Sequence, residues 1–77
     1  MSSVVHLPYG AETYPDARGD ARAMRVRWHH EDDLVVLSLW RGRECTATFR
    51  LDVHEVPALI TTLQAGLDVS YDVQQRA

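Results

Sequence analysis

A chain of 77 residues, 45% of them hydrophobic, is enough for one domain and leaves little interior for a core. Its single cysteine, Cys45, rules out an intrachain disulfide, and a formal net charge of -3 at pH 7 argues against a generic nucleic-acid coat protein. With disulfides excluded, oligomerisation or a metal are the remaining ways for so small a chain to gain stability.

A lone thiol fits a reducing compartment. No apolar run approaches the length of a membrane span, and residues 1–9 lack the basic start and long apolar centre of a secretion signal. A cytoplasmic protein is expected. All of the basic residues are arginine, which a GC-rich genome explains most simply.

In chain order, residues 1–22 read as an N-terminal arm. Val4, Val5, Leu7 and Tyr9 suggest a short extended piece broken by Pro8 and Gly10, and Tyr14, Pro15, Asp16, Gly19 and Asp20 follow as turn formers. From Met24 the pattern sharpens. Met24, Val26 and Trp28 alternate with Arg25 and Arg27, as in a strand with one face buried, and residues 29–33 are a polar loop. A second strand, Leu34–Arg41, is nearly continuous in apolar residues, and a third, 44–51, alternates. Gly42 and Arg43 between them suit a type II′ turn, which needs glycine at its first central position.

That turn pairs Arg41 with Glu44 and Trp40 with Cys45. An unbroken register would place Val36 opposite Phe49 and Leu34 opposite Leu51. One face would then hold Trp40, Val36, Phe49 and Leu51, joined by Met24, Val26 and Trp28, while Val35, Leu37 and Leu39 would point to the other.

Residues 52–67 form the helix. Asp52 and Glu55 have capping-box spacing, Pro57 falls in the tolerated first turn, and Val56, Leu59, Ile60, Leu63 and Leu67 make one apolar stripe. Gly66 offers a left-handed stop, and Val69, Tyr71 and Val73 alternate in a tail that either adds an edge strand or frays. The expected fold is α+β: a small two-layer domain over residues 23–68, with a three-stranded antiparallel sheet (β-β-β-α) and a C-terminal amphipathic helix packed on one face. Residues 69–77 are the tail.

This arrangement leaves Val35, Leu37 and Leu39 on an outer face with Arg25, Arg27, Thr46, Thr48 and Arg50. Three aliphatic side chains in a row form a patch that monomers seldom leave uncovered. These eight residues are the candidate interface, covered by a second copy, by the N-terminal arm through Val5, Leu7 and Tyr9, or by another partner.

Chemical motifs are sparse. His29, His30, Glu31, Asp32 and Asp33 are ligand-type residues in a row, but neighbours in an extended turn diverge, and His6 and His54 have no metal-site spacing to them. Cys45 is expected inward, opposite Trp40, as a small apolar group. There is no phosphate loop and no catalytic His motif. The expectation is a non-enzyme with no catalytic residues, cofactor or metal.

The order of strands and helix resembles the N-terminal dimerisation domain of the actinobacterial histone-like nucleoid silencer and, more distantly, Whirly-type single-strand DNA binders. The likeness is one of topology over part of the chain. No motif of either family matches residue by residue, so no function is carried over. The residues favour a homodimeric protein-interaction module, an adaptor or accessory regulator, acting away from membranes. The alternative is a nucleic-acid binder that uses Arg25, Arg27, Arg41 and Arg50. Under the expected register no aromatic lies on that face to stack on bases, which counts against it.

Overall fold

The computed structural model describes the backbone of residues 11–76 and the side chains of residues 11–71. Four strands, β1 (Ala11–Pro15), β2 (Arg22–His29), β3 (Leu34–Arg41) and β4 (Glu44–Asp52), form one antiparallel sheet in the order β1-β2-β3-β4. A 3-10 turn, Val53–Glu55, leads into a single helix, α1 (Val56–Arg76). The α+β class stands, with four strands where three were expected.

The added strand lies inside the expected arm. β1 pairs with β2 from Ala11↔Arg27 to Pro15↔Ala23. Pro15, which lacks a backbone donor, is tolerated at the end of an edge strand. The loop back to β2 is built from two turns. Gly19 donates its backbone N–H to the Asp16 carbonyl at 2.9 Å, and Arg22 donates to the Gly19 carbonyl at 3.2 Å. The second turn has positive φ at both central residues, Asp20 (63°) and Ala21 (56°), the type I′ pattern. Val4, Val5, Leu7 and Tyr9, and the cover they were expected to give, lie outside the described residues.

Strand β2 runs one residue further than expected, to His29, and pairs His29↔Leu34. A 3-10 turn at His30–Asp32, closed by Asp33 in the left-handed region (φ 55°), makes the connection. The register is therefore Trp28↔Val35, Val26↔Leu37 and Met24↔Leu39. This one-residue difference moves Met24, Val26 and Trp28 to the opposite face from the one expected.

The β3–β4 turn has the expected chemistry. Gly42 has φ 61° and Arg43 does not share the positive φ, as type II′ requires. Arg41↔Glu44 and Trp40↔Cys45 pair as read from the sequence, but a bulge follows between Leu39 and Trp40. The extra residue is Thr46, whose hydroxyl donates to the Leu39 carbonyl at 3.2 Å. Beyond it the pairs are Leu39↔Ala47, Leu37↔Phe49 and Val35↔Leu51. Phe49 and Leu51 therefore share a face with Val35 and Leu37, not with Val36 and Trp40.

The helix departs furthest from expectation. Asp52 caps the Val53–Glu55 turn that precedes it, from an extended conformation, and its carboxylate accepts from the His54 backbone N–H at 2.8 Å, not from Glu55. Gly66 does not stop the helix, which continues through the expected tail to Arg76. It also does not lie on the sheet. Among the described elements its sustained packing is against the Val53–Glu55 turn, and its stripe is open, with Ile60, Leu63 and Leu67 more than 60% exposed. Val53 donates its N–H to the Asp33 carbonyl at 2.9 Å, so the turn is fastened to the end of the sheet and sets the direction of the helix.

One chain is thus a single-layer sheet with a projecting helix. Its radius of gyration is 14.7 Å, against about 11 Å for a compact chain of this length. Val35 is the one buried hydrophobic residue among those described. No helix of the described residues is long and apolar enough to cross a membrane.

Candidate interaction surfaces

The corrected registers sort the sheet into two unlike faces. Residues directly opposite on neighbouring strands share a face. One row is therefore Tyr14, Met24, Leu39 and Ala47, the next is Glu12, Val26, Leu37 and Phe49, and the third is Trp28, Val35 and Leu51. These rows are apolar but for Glu12, and the Arg22 and Arg41 pair closes the face at its end. Val35 is 3% exposed between its neighbours, while Tyr14, Leu39 and Phe49 are 48%, 49% and 60% exposed.

The opposite face carries Arg25, Arg27, Val36, Ser38, Trp40, Thr48 and Arg50. Several of these groups satisfy one another. Trp40 Nε1 donates to the hydroxyl of buried Ser38 at 2.8 Å. The Arg25 guanidinium lies 4.6 Å from the centre of the Trp40 ring, a cation–π arrangement.

The eight expected interface residues are consequently divided. Val35, Leu37 and Leu39 lie on the apolar face, Arg25, Arg27, Thr48 and Arg50 lie on the other, and Thr46 forms the bulge. Sequence reading missed Tyr14 and Phe49 on the apolar face and Trp40 on the arginine face. Cys45 is opposite Trp40 as expected, but it is exposed, with its thiol directed at the Ala47 carbonyl at 3.6 Å.

Charges gather at the end of the sheet where the β1–β2 loop meets the β3–β4 turn. Asp16 receives Arg18 through its backbone N–H at 2.8 Å, Nε at 3.0 Å and Nη2 at 2.8 Å. These bonds hold the Asp16 carboxyl well below the usual carboxylate range and push the Arg18 guanidinium up. Asp20 faces Arg41 at 3.3 Å and Arg22 at 3.6 Å, and a shallow cleft of about 230 Å³ opens between this cluster and Trp40.

At the opposite end the Trp28 and His30 rings stack, with centroids 5.1 Å apart and planes 3° from parallel. The ligand-type run behaves differently from the sequence expectation. The 3-10 turn brings donor atoms of His29, Glu31 and Asp32 within 4.8 Å of one another instead of splaying them. The described residues bring no fourth donor to complete the four-coordinate set typical of structural zinc. Asp52, bonded to the His54 backbone N–H and ring Nδ1, is also held below the ordinary carboxylate pKa.

No family model matches this chain, and neither a curated protein nor a solved structure does.

Proposed function

We propose that the protein is a homodimeric protein-interaction module, an adaptor or accessory regulator without catalytic activity, whose second copy covers the apolar surfaces that one chain leaves open. The observation carrying this reading is the inversion of exposure. Among the described residues a single hydrophobic side chain is buried, whereas nine large ones, including Phe49, Ile60, Leu63 and Leu67, are 38% to 64% exposed. Exposed apolar area of this extent, on the sheet face and on the helix, supports association. Once it is covered, the arginine face remains for a partner.

Sedimentation velocity across a concentration series tests the proposal. A dimer is expected down to low micromolar protein. A monomer at about 100 μM, far above the dissociation constant of a stable interface, refutes it.

A second reading, nucleic-acid binding, is favoured by one observation. Trp40 shares a face with Arg25, Arg27 and Arg50, so the aromatic that a single-strand platform uses for stacking accompanies the phosphate-binding charges. The net charge of -3 stands against it. Fluorescence anisotropy with labelled single-stranded and duplex DNA separates the readings. Binding that weakens steeply with salt and is lost in Arg25→Glu combined with Arg27→Glu would select this one.

A further inference from the structure

We propose that the two copies complete each other by helix exchange, with α1 of each copy lying across the apolar sheet face of the other. The inference rests on the homodimer reading and specifies which surfaces meet.

Among the described residues each chain leaves two apolar surfaces open: the sheet face around Leu37 and Phe49, and the helix stripe of Leu59, Ile60, Leu63 and Leu67. They do not meet in this structure: the Val53–Glu55 turn, tied to the end of the sheet by the bond from Val53 N–H to the Asp33 carbonyl, leads α1 away, and its stripe stays open. A second copy is the occupant that supplies both complements at once, and a two-fold axis makes the two junctions identical.

Dimensions agree. The stripe from Leu59 to Leu67 is about 12 Å long at 1.5 Å per residue. The apolar rows of β2, β3 and β4 span roughly 10 Å across the strands and about 13 Å along Val35 to Leu39. Seven large apolar side chains on these two surfaces, Tyr14, Leu39, Phe49, Leu59, Ile60, Leu63 and Leu67, are 38% to 64% exposed, a substantial share of the roughly 800 Å² that each partner contributes to a stable interface.

The stripe is also short for a helix-to-helix seam. A heptad row through Val56, Ile60, Leu63 and Leu67 ends at Ser70, short of the three to four heptads of a coiled coil. Leu59 lies beside that row and broadens the stripe, as in helices that pack on a wide surface.

The test places a photoreactive benzophenone side chain at position 63 in full-length protein, prepared as a mixture of unlabelled and 15N-labelled copies. Cross-linked peptides are then assigned by mass spectrometry, and oligomeric state is measured on the same sample. Exchange predicts links between α1 of one isotope and β2, β3 or β4 of the other. Links between the two α1 helices in a sample that sediments as a dimer overturn the exchange and leave the homodimer standing. Links from α1 to strands of its own copy in a monomeric sample overturn both. The same probe at position 60, exposed in the single chain, repeats the measurement should position 63 disturb folding.

Discussion

The two faces of this sheet come from the same strands, one residue out of phase, yet they reach stability by different routes. On the arginine face Trp40 has Ser38 at its Nε1 edge and Arg25 over its ring, so its polar and aromatic groups find partners inside the chain. On the apolar face Phe49, Leu39 and Tyr14 find no such partners and remain about half or more exposed. Polar groups can be satisfied pairwise within one layer, whereas apolar groups are satisfied only by removal from water, which a single layer cannot provide. The contrast teaches that one face is locally complete and that the described residues leave the other open.

The largest expected effect comes from spoiling the incomplete face alone. Phe49→Asp should dissociate the proposed dimer, with a loss of about 2 kcal/mol of apolar burial per copy before the cost of placing a charge there. Thr48→Asp, the neighbour on the opposite face, should remain dimeric. Sedimentation of the two variants reads the difference, and equal behaviour would erase the distinction between the faces.

Breaking the self-contained face should cost less. Ser38→Ala leaves Trp40 Nε1 without its partner in a half-buried setting and should lower stability by about 1 kcal/mol in urea denaturation, with the dimer intact. The turns give effects of similar size and opposite sign. Gly42→Val forces a β-branched residue to a positive φ and should destabilise by about 1–2 kcal/mol, whereas Ala21→Gly relieves the same strain and should stabilise by about 1 kcal/mol.

The smallest effect is electrostatic. The Asp16 carboxyl is held below its ordinary value chiefly by the Arg18 side chain, so its contribution is present above the unfolded pKa of about 3.9 and is lost as pH falls through the depressed folded value. Asp16→Asn should therefore lower the melting temperature slightly at pH 7 and flatten the acid side of the stability profile below about pH 4. Melting curves from pH 2 to 7 check this.

The sequence was most informative where local chemistry decides structure. Gly42 located the hairpin turn, Asp52 the helix start, and the long apolar run of β3 its central strand. It was least informative where a single residue changes the phase. Cys45, Ala47, Phe49 and Leu51 alternate without interruption, so nothing in that pattern marks Thr46 as the bulged residue, and the inferred faces inverted beyond it. The end of β2 failed in the same way, because Asp33 takes a left-handed conformation that aspartate tolerates without announcing it. β1 was missed because Glu12 and Tyr14 alternate too weakly to outweigh Pro15. Gly66 was overread: glycine in a helix costs about 1 kcal/mol but does not end it when no competing turn follows. The candidate surface was legible as leucines on β3, and the sorting of its arginines was not, because that sorting follows register.

The fastening of Val53 to Asp33 makes the end of the sheet an elbow and α1 a lever. Its arm is 21 residues, about 31 Å, so a tilt of roughly ten degrees at the elbow carries the far end about 5 Å. The Asp33 carbonyl that holds this joint directly follows the 3-10 turn bearing His30, Glu31 and Asp32. A side-chain rearrangement in that small turn would therefore be amplified along the helix, and the spacing between two arms of an assembly would register changes too small to see at the turn itself.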